Sequence, residues 1–337
     1  MRVSPPPRNR RLLASAAIMA IPRIFIDGHA GTTGLRIREW LQDRKDLEVW
    51  TLEESKRKSE SARREALTEA DLTVLCLPDD AAVEAAGWAK AAGARLIDAS
   101  SQHRVAEGWV YGLPELMPGH RETIAGAQLV ANPGCYPASF LLLVRPLVEA
   151  GVIDSNAALT IHGLSGYSGG GKTLIERWES AGGGRVGLPY EAPYALERVH
   201  KHVPEMQAYA RLESPPQFVP SVGPFACGMR VEVPVHASLI QSGRSAEQVW
   251  QILADRYAEE PFVEVAPFRG LEPVDDFALD PEALNGTNRV RLHVLPNAAG
   301  HLLLVGILDN LGKGASGVAI QSLNLMLGLA EGAGLPH

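Results

Sequence analysis

The sequence predicts an α/β protein: a parallel β-sheet domain built from alternating strands and helices, then an α+β domain with a mixed sheet. Three observations lead there. From residue 23 to residue 98, apolar runs of strand length alternate with helix-length amphipathic stretches, the pattern of parallel strands joined by crossovers. In the second half, strands follow one another with little helix between them, which argues an antiparallel component. The length, 337 residues, is that of roughly two domains. Composition narrows the class further. Hydrophobic residues at 46% and charged residues at 21% exclude wholesale disorder. A net charge of −7 disfavours nucleic-acid binding. Three cysteines, Cys76, Cys135 and Cys227, make no disulfide framework and suit a reduced, cytoplasmic chain.

Residues 1–20 carry Arg2, Arg8, Arg10 and Arg11 ahead of an apolar stretch. This is superficially a leader, but it is short and lacks a clean cleavage site. A disordered extension or a mis-assigned start is expected, since Met19 lies just before the fold. No run of 18 apolar residues occurs, so no transmembrane helix is expected. Arg23–Asp27 reads as a strand ending in a glycine turn, with a helix over 35–41 and a second strand over 47–52. The charged residues 53–65 read as a solvated loop and helix face. A buried-type strand over 70–77, a helix over 79–92 and a strand over 95–98 complete the run. A long apolar helix follows over 138–150, then a strand over 158–162 and a glycine-rich stretch over 163–171. Residues 181–224, rich in Gly and Pro, read as mostly loop. Strands follow over 229–235, 263–265, 289–295 and 301–308, with a helix over 245–258 and a terminal apolar helix over 315–329.

Four motifs carry chemistry. Gly28-x-x-Gly31-x-x-Gly34 joins a strand to a helix, where glycines let a pyrophosphate approach the helix N-terminus. The cations Lys56 and Arg57 follow the second strand and suit a 2′-phosphate, favouring NADP over NAD. Asn132-Pro-Gly-Cys135 puts a thiol at a helix start, where the dipole and free N–H groups are expected to lower its pKa. His200-Lys201-His202 offers general acid/base groups for that thiol. No third ligand of matching type lies near it, so no metal is expected. Finally, residues 166–173 match the GxxxxGK[ST] pattern of a phosphate-binding loop, which opens a P-loop NTPase as an alternative of another class. That alternative leaves both the first glycine turn and Cys135 unexplained.

Taken together, IDGHAGTTGLRIRE, DASSQHR (98–104), YGLPEL (111–116), ANPGCYP (131–137), GLSGYSGGGK (163–172), HKHVPE (200–205) and DNLGKGASGVAIQSLNLMLG (309–328) resemble the N-acetyl-γ-glutamyl-phosphate reductases. The likeness is to their shorter-chain variant, within the semialdehyde dehydrogenase superfamily, and spans nearly the whole chain. It implies an NADP-binding Rossmann domain over 21–134 plus 309–337, a catalytic and oligomerisation domain over 135–308, and a homodimer or homotetramer. It implies NADPH-dependent reduction of an acyl phosphate through a thioester on Cys135, with His202, or second His200, as the acid/base. Arg104 is implied to face the phosphate, and Asn132, Ser165, Gly166 and Lys201 to line the substrate site. Gly28, Gly31, Thr32, Thr33, Gly34, Lys56, Arg57, Leu77, Pro78, Ser100, Ser168, Gly169 and Asn310 are implied to hold the cofactor. The longer-chain relatives carry arginine at Lys172, so the literal P-loop falls on a glycine-rich pocket segment. Aspartate-semialdehyde dehydrogenase, an aminoadipyl-phosphate reductase and a non-catalytic NADP-binding regulator stand as alternatives.

Overall fold

The computed structural model describes residues 21–29, 31–180, 190–275 and 277–337; the expected N-terminal extension, 1–20, lies outside them. The first sheet is built from β1 (Arg23–Asp27), α1 (Thr32–Leu41), β2 (Glu48–Trp50), α2 (Glu60–Glu69), β3 (Leu72–Leu75), α3 (Asp79–Ala92), β4 (Leu96–Asp98), β5 (Val110–Tyr111), α4 (His120–Gly126) and β6 (Leu129–Ala131). Its six strands run in the order β2-β1-β3-β4-β6-β5, and every pair is parallel. Parallel strands are buried on both faces, which is why β3 reads as an unbroken LTVL with every residue buried. The helices between them are set by local signals. Ser59 caps α2 by accepting from the Ala62 N–H, and α3 opens on Asp79 and Asp80 and closes on the left-handed Gly93. Alanines 82, 85, 86 and 89 on α3 are buried at helical spacing. The chain leaves β1 toward β2 and returns on the other side to β3. The switch point between β1 and β3 therefore opens a crevice at their C-terminal ends.

The helix α5 (Cys135–Glu149) is apolar and buried nearly all round. The second sheet then takes β7 (Thr160–Gly166), α6 (Gly171–Glu179), β8 (Ala192–Pro193), α7 (Val203–Ala210), β9 (Gln217–Gly223), β10 (Met229–Val235), α8 (Ala246–Arg256), β11 (Val263–Val265), β12 (Val290–Pro296) and β13 (Leu302–Leu308). Its order is β11-β12-β13-β10-β7-β9-β8. Pairs β7/β9 and β11/β12 are parallel and the rest antiparallel. One core joins α5 and α8 to the buried faces of β10, β12 and β13. A π-turn (Gly312–Ser316) leads into α9 (Gly317–Met326). This last helix packs back on α1, α4 and β4 of the first sheet.

Two readings of the sequence are corrected. The stretch 181–224 is not loop alone: within its described part lie α7 and the full-length strand β9, paired residue for residue with β7. Pro220 hides that strand, because proline lacks the ladder N–H. Its carbonyl accepts from Tyr194 on the outer side, and β8 covers only Ser221 and Val222. The missing donor thus faces the sheet's margin, where it disrupts nothing. The long apolar helix starts at Cys135, three residues earlier than its apolar run suggests.

Candidate active site

Cys135 is the first residue of α5, and extended Gly134 precedes it as N-cap. A side-chain carbon on Gly134 would stand 2.6 Å from His202 Nε2 and 2.7 Å from both Arg104 Nη1 and Glu205 Oε1. Three side chains from two distant segments therefore converge on the backbone beside the thiol, and only glycine leaves them room. Glu205, 1% exposed, organises them. Its Oε1 accepts from Arg104 Nη1 (2.6 Å). Its Oε2 accepts from the Gly134 N–H (3.0 Å) and the Tyr111 hydroxyl (2.7 Å). Arg104 Nε donates to the Asn132 carbonyl (3.0 Å), and Tyr209 Oη donates to the Arg104 carbonyl (2.6 Å). Two of the three guanidinium nitrogens of Arg104 are thus committed to the protein. Asn132 donates to the Ala315 carbonyl (3.0 Å), while its Oδ1 is buried with no partner among the described residues.

The electrostatics differ from the expectation at the thiol. Burial pushes Cys135 up to about 11, against the pull of Arg104 and the backbone N–H of Tyr136. The helix start does not deliver a lowered thiol, because desolvation of the charged form outweighs the favourable N–H groups. Burial, with Arg104 and then His200 beside it, holds His202 well below the usual histidine range. Burial and Lys201 bring His200 down to about 4. His200 Nδ1 accepts from the His202 N–H (3.2 Å), and its Nε2 lies 3.4 Å from Tyr194 Oη. Both imidazoles are neutral at neutral pH, and the acceptor nitrogen of His200 is already taken by the His202 N–H. Lys201 is exposed and acts on His202 and His200 through its charge.

On the first sheet, Gly28 has φ +88° and a Cβ there would collide with the Cys76 carbonyl, while one on Gly34 would lie 2.9 Å from the Gly28 carbonyl oxygen. A Cβ on Gly31 would meet only ordinary contacts, 3.5 Å at the nearest. Helix α1 has no side-chain cap and no acidic residue in its first turn. The turn is closed where it folds on itself and open at the N–H groups of the helix start, which fits a pyrophosphate. Leu77 and Pro78 follow β3, and Leu77 packs on the Gly28 turn. Ser100 is tied to Asp98 through both its N–H (2.9 Å) and its hydroxyl (2.6 Å). Lys56 is exposed after β2, and Arg57 pairs with Glu54 at 2.5 Å.

The second half supplies the facing wall. Asn310 donates to Ser168 Oγ (3.0 Å) and accepts from the Gly228 N–H (2.8 Å). A Cβ on Gly169 would stand 3.2 Å from Ser165 Oγ and 3.3 Å from Asn310 Nδ2. Gly166 packs on the Ala226 carbonyl, and Gly171 comes to 4.0 Å from Thr32 Oγ1 by the same measure. Ser316 Oγ donates to the Thr33 carbonyl (3.2 Å). The two glycine-rich stretches therefore meet at one cleft. The literal P-loop forms no cradle: residues Tyr167–Gly170 make a 3-10 turn, Leu174 fills the space at Gly170, and Lys172 is exposed and pairs with Glu176 (3.8 Å). Cys76 is pushed up to about 12 by burial, and Cys227 lies 3.5 Å from Ser168 Oγ. Among the described residues no group of three or more His, Cys, Asp or Glu is arranged for a metal. Sequence reasoning sees Glu205 in HKHVPE and Tyr111 in YGLPEL but gives neither a role; the one available signal is that Glu205 lies one helical turn after His202.

Comparison with known proteins places these features in company. Residues 23–126 match the family model of the semialdehyde dehydrogenase NAD binding domain, and residues 135–310 that of the semialdehyde dehydrogenase dimerisation domain. N-acetyl-gamma-glutamyl-phosphate reductase 2 of Nostoc sp. is 48% identical over 319 residues, 93% of this chain and 99% of that one. N-acetyl-gamma-glutamyl-phosphate reductase of Burkholderia ambifaria is 46% identical over 314 residues, 93% of this chain and 98% of that one. Among solved structures, aspartate semialdehyde dehydrogenase II of Vibrio cholerae, complexed with ASA, has a TM-score of 0.69 at 19% identity, covering 91% of this chain and 98% of that one. Aspartate semialdehyde dehydrogenase with NADP from Candida albicans has a TM-score of 0.63 at 18% identity, covering 91% and 99%. At those identities the structures speak for the fold.

Proposed function

The chain belongs to the semialdehyde dehydrogenase family and stands within it among the N-acetyl-γ-glutamyl-phosphate reductases, and from that premise we propose how its residues carry out the family reaction. It is an NADP-dependent oxidoreductase of arginine biosynthesis that reduces N-acetyl-γ-glutamyl phosphate to the 5-semialdehyde and releases phosphate. The observation that carries the residue assignment is the convergence of His202, Arg104 and Glu205 on Gly134, beside a thiol at a helix start. Cys135 attacks the acyl carbonyl as its proton passes to His202, which is neutral and able to take it. N–H groups at the start of α5 hold the oxyanion. Phosphate departs beside Arg104, leaving a thioester on Cys135. NADPH, when bound, supplies the hydride for reduction. The thiohemiacetal oxyanion collapses to the semialdehyde as the C–S bond breaks, and His202 returns its proton to the departing sulfur, restoring the thiol. Gly28, Gly31, Thr32, Thr33 and Gly34 hold the pyrophosphate, and Ser168, Gly169 and Asn310 face them across the cleft.

The division into 21–134 plus 309–337 and 135–308 belongs to the same proposal, supported by the packing of α9 on the first sheet. A homodimer or homotetramer is supported by the dimerisation-domain match. A cytoplasmic setting suits a chain whose cysteines are all free. The substrate assignment is tested by assaying NADP reduction with phosphate and three semialdehydes side by side: N-acetylglutamyl, aspartyl and aminoadipyl. The N-acetylglutamyl compound is expected to give the highest kcat/KM, and a preference for either of the others overturns the assignment.

A further inference from the structure

The π-turn Gly312–Ser316 meets the site at three consecutive residues. A Cβ on Gly314 would lie 2.9 Å from Cys135 Cβ, Ala315 accepts from Asn132 (3.0 Å), and Ser316 donates to Thr33 (3.2 Å). Wide π-turns occur as single turns, often at functional sites, and something must hold their register. Lys313, inside this turn, is fully buried, as is its partner Glu115. Its Nζ donates to Glu115 Oε1 (2.7 Å) and Gln321 Oε1 (2.5 Å). Gln321 Nε2 donates back to Glu115 Oε1 (2.9 Å) and to Glu331 Oε1 (2.9 Å). Arg121 then ties Glu331 to Glu260. Burial alone would raise the Glu115 carboxyl, but the Lys313 ammonium, together with the Gln321 amide and a backbone N–H, holds it below its usual value.

A lysine and a glutamate taken out of water together add little stability over apolar side chains of the same shape. What the pair does fix is direction, because the ammonium must point at the first sheet's Pro114–Leu116 turn. We propose that Lys313 is a positioning residue: its ion pair with Glu115 clamps the π-turn in the register that seats Gly314 on Cys135 and ties the thiol to the cofactor turn. This rests on Cys135 being the nucleophile.

The test is the near-isosteric double variant Glu115→Gln/Lys313→Met, which leaves no unpaired buried charge. Its kcat is expected to fall about a hundredfold, as for a displacement of the reacting groups by about 1 Å. The KM for NADP is expected to stay within about twofold. Alkylation of Cys135 by iodoacetamide, read on its peptide by mass, is expected to become faster as the turn lets go. A folded variant that keeps the parent kcat or the parent alkylation rate overturns the proposal. If the double variant does not fold, Gln321→Met, which removes one of the two acceptors on Lys313, carries the same test: shifts in the same directions support the clamp and parent values overturn it. Failure of the nucleophile assignment is separately visible, because Cys135→Ser would then stay active, whereas alkylation needs no turnover.

Discussion

Burial pushes the Cys135 thiol up to about 11 and keeps His202 unprotonated, so the two meet as neutral groups and the proton moves only as the substrate is attacked. A preformed thiolate–imidazolium pair would react at a rate nearly independent of pH around neutrality. Here the alkylation rate of Cys135 is expected to climb about tenfold per pH unit from 7 to 9, following the thiolate fraction. Iodoacetamide kinetics across that range check it, and a plateau would contradict it. At this scale the thiol is legible in ANPGCYP, because its helix-start position is a local property. Glu205 is not, because its meaning comes from Arg104, Tyr111 and Gly134, which lie 101, 94 and 71 residues away. The resting state of the thiol is equally hidden: the sequence displays the helix N-terminus but not the burial that outweighs it.

Among the elements, the glycine turn and α7 behave in opposite ways. Two of the turn's glycines, Gly28 and Gly31, have separable duties. Gly28→Ala must relieve a collision with the Cys76 carbonyl at φ +88°, so it is expected to lower the Tm and lose NADP binding together. Gly31→Ala meets only ordinary contacts in the protein and is expected to keep the Tm while weakening NADP binding. Thermal melts and fluorescence titration with NADP separate the two outcomes, and equal Tm losses in both variants would contradict the division. Such a turn is legible because strand, glycines and helix stand within a dozen residues. The α7–β9 segment is not, because Pro204, Pro220 and Gly223 give it the composition of a loop. Only the neighbouring strand β7 and the short β8 explain why a strand persists there.

Over the whole molecule, the parallel and mixed sheets are legible in the alternation of apolar runs, since that pattern follows from which faces are buried. How the two halves close around one site is not, because it depends on contacts such as Gly171 with Thr32 and Lys313 with Glu115. Folding also buries histidines. His120, His200, His202 and His293 are all held below their usual range, first by burial. Below about pH 6.5 the unfolded chain takes up protons that the folded one refuses, so the unfolding free energy falls with falling pH. The slope is up to about 1.4 kcal/mol per pH unit for each such histidine. Urea denaturation at pH 7.5, 6.5 and 5.5 checks the sign, and stability that rises toward pH 5.5 would contradict it.

The central claim is that the acyl group passes through a thioester on Cys135. Mixing the enzyme with N-acetyl-γ-glutamyl phosphate in the absence of nucleotide, then taking an intact mass after acid quench, tests it most directly. One N-acetylglutamyl adduct per chain, mapped to the Cys135 peptide and missing from Cys135→Ser, is the expected result. A Cys135→Ser protein that still acquires the adduct, or one that still reduces NADP in a phosphate-dependent reaction, would contradict it.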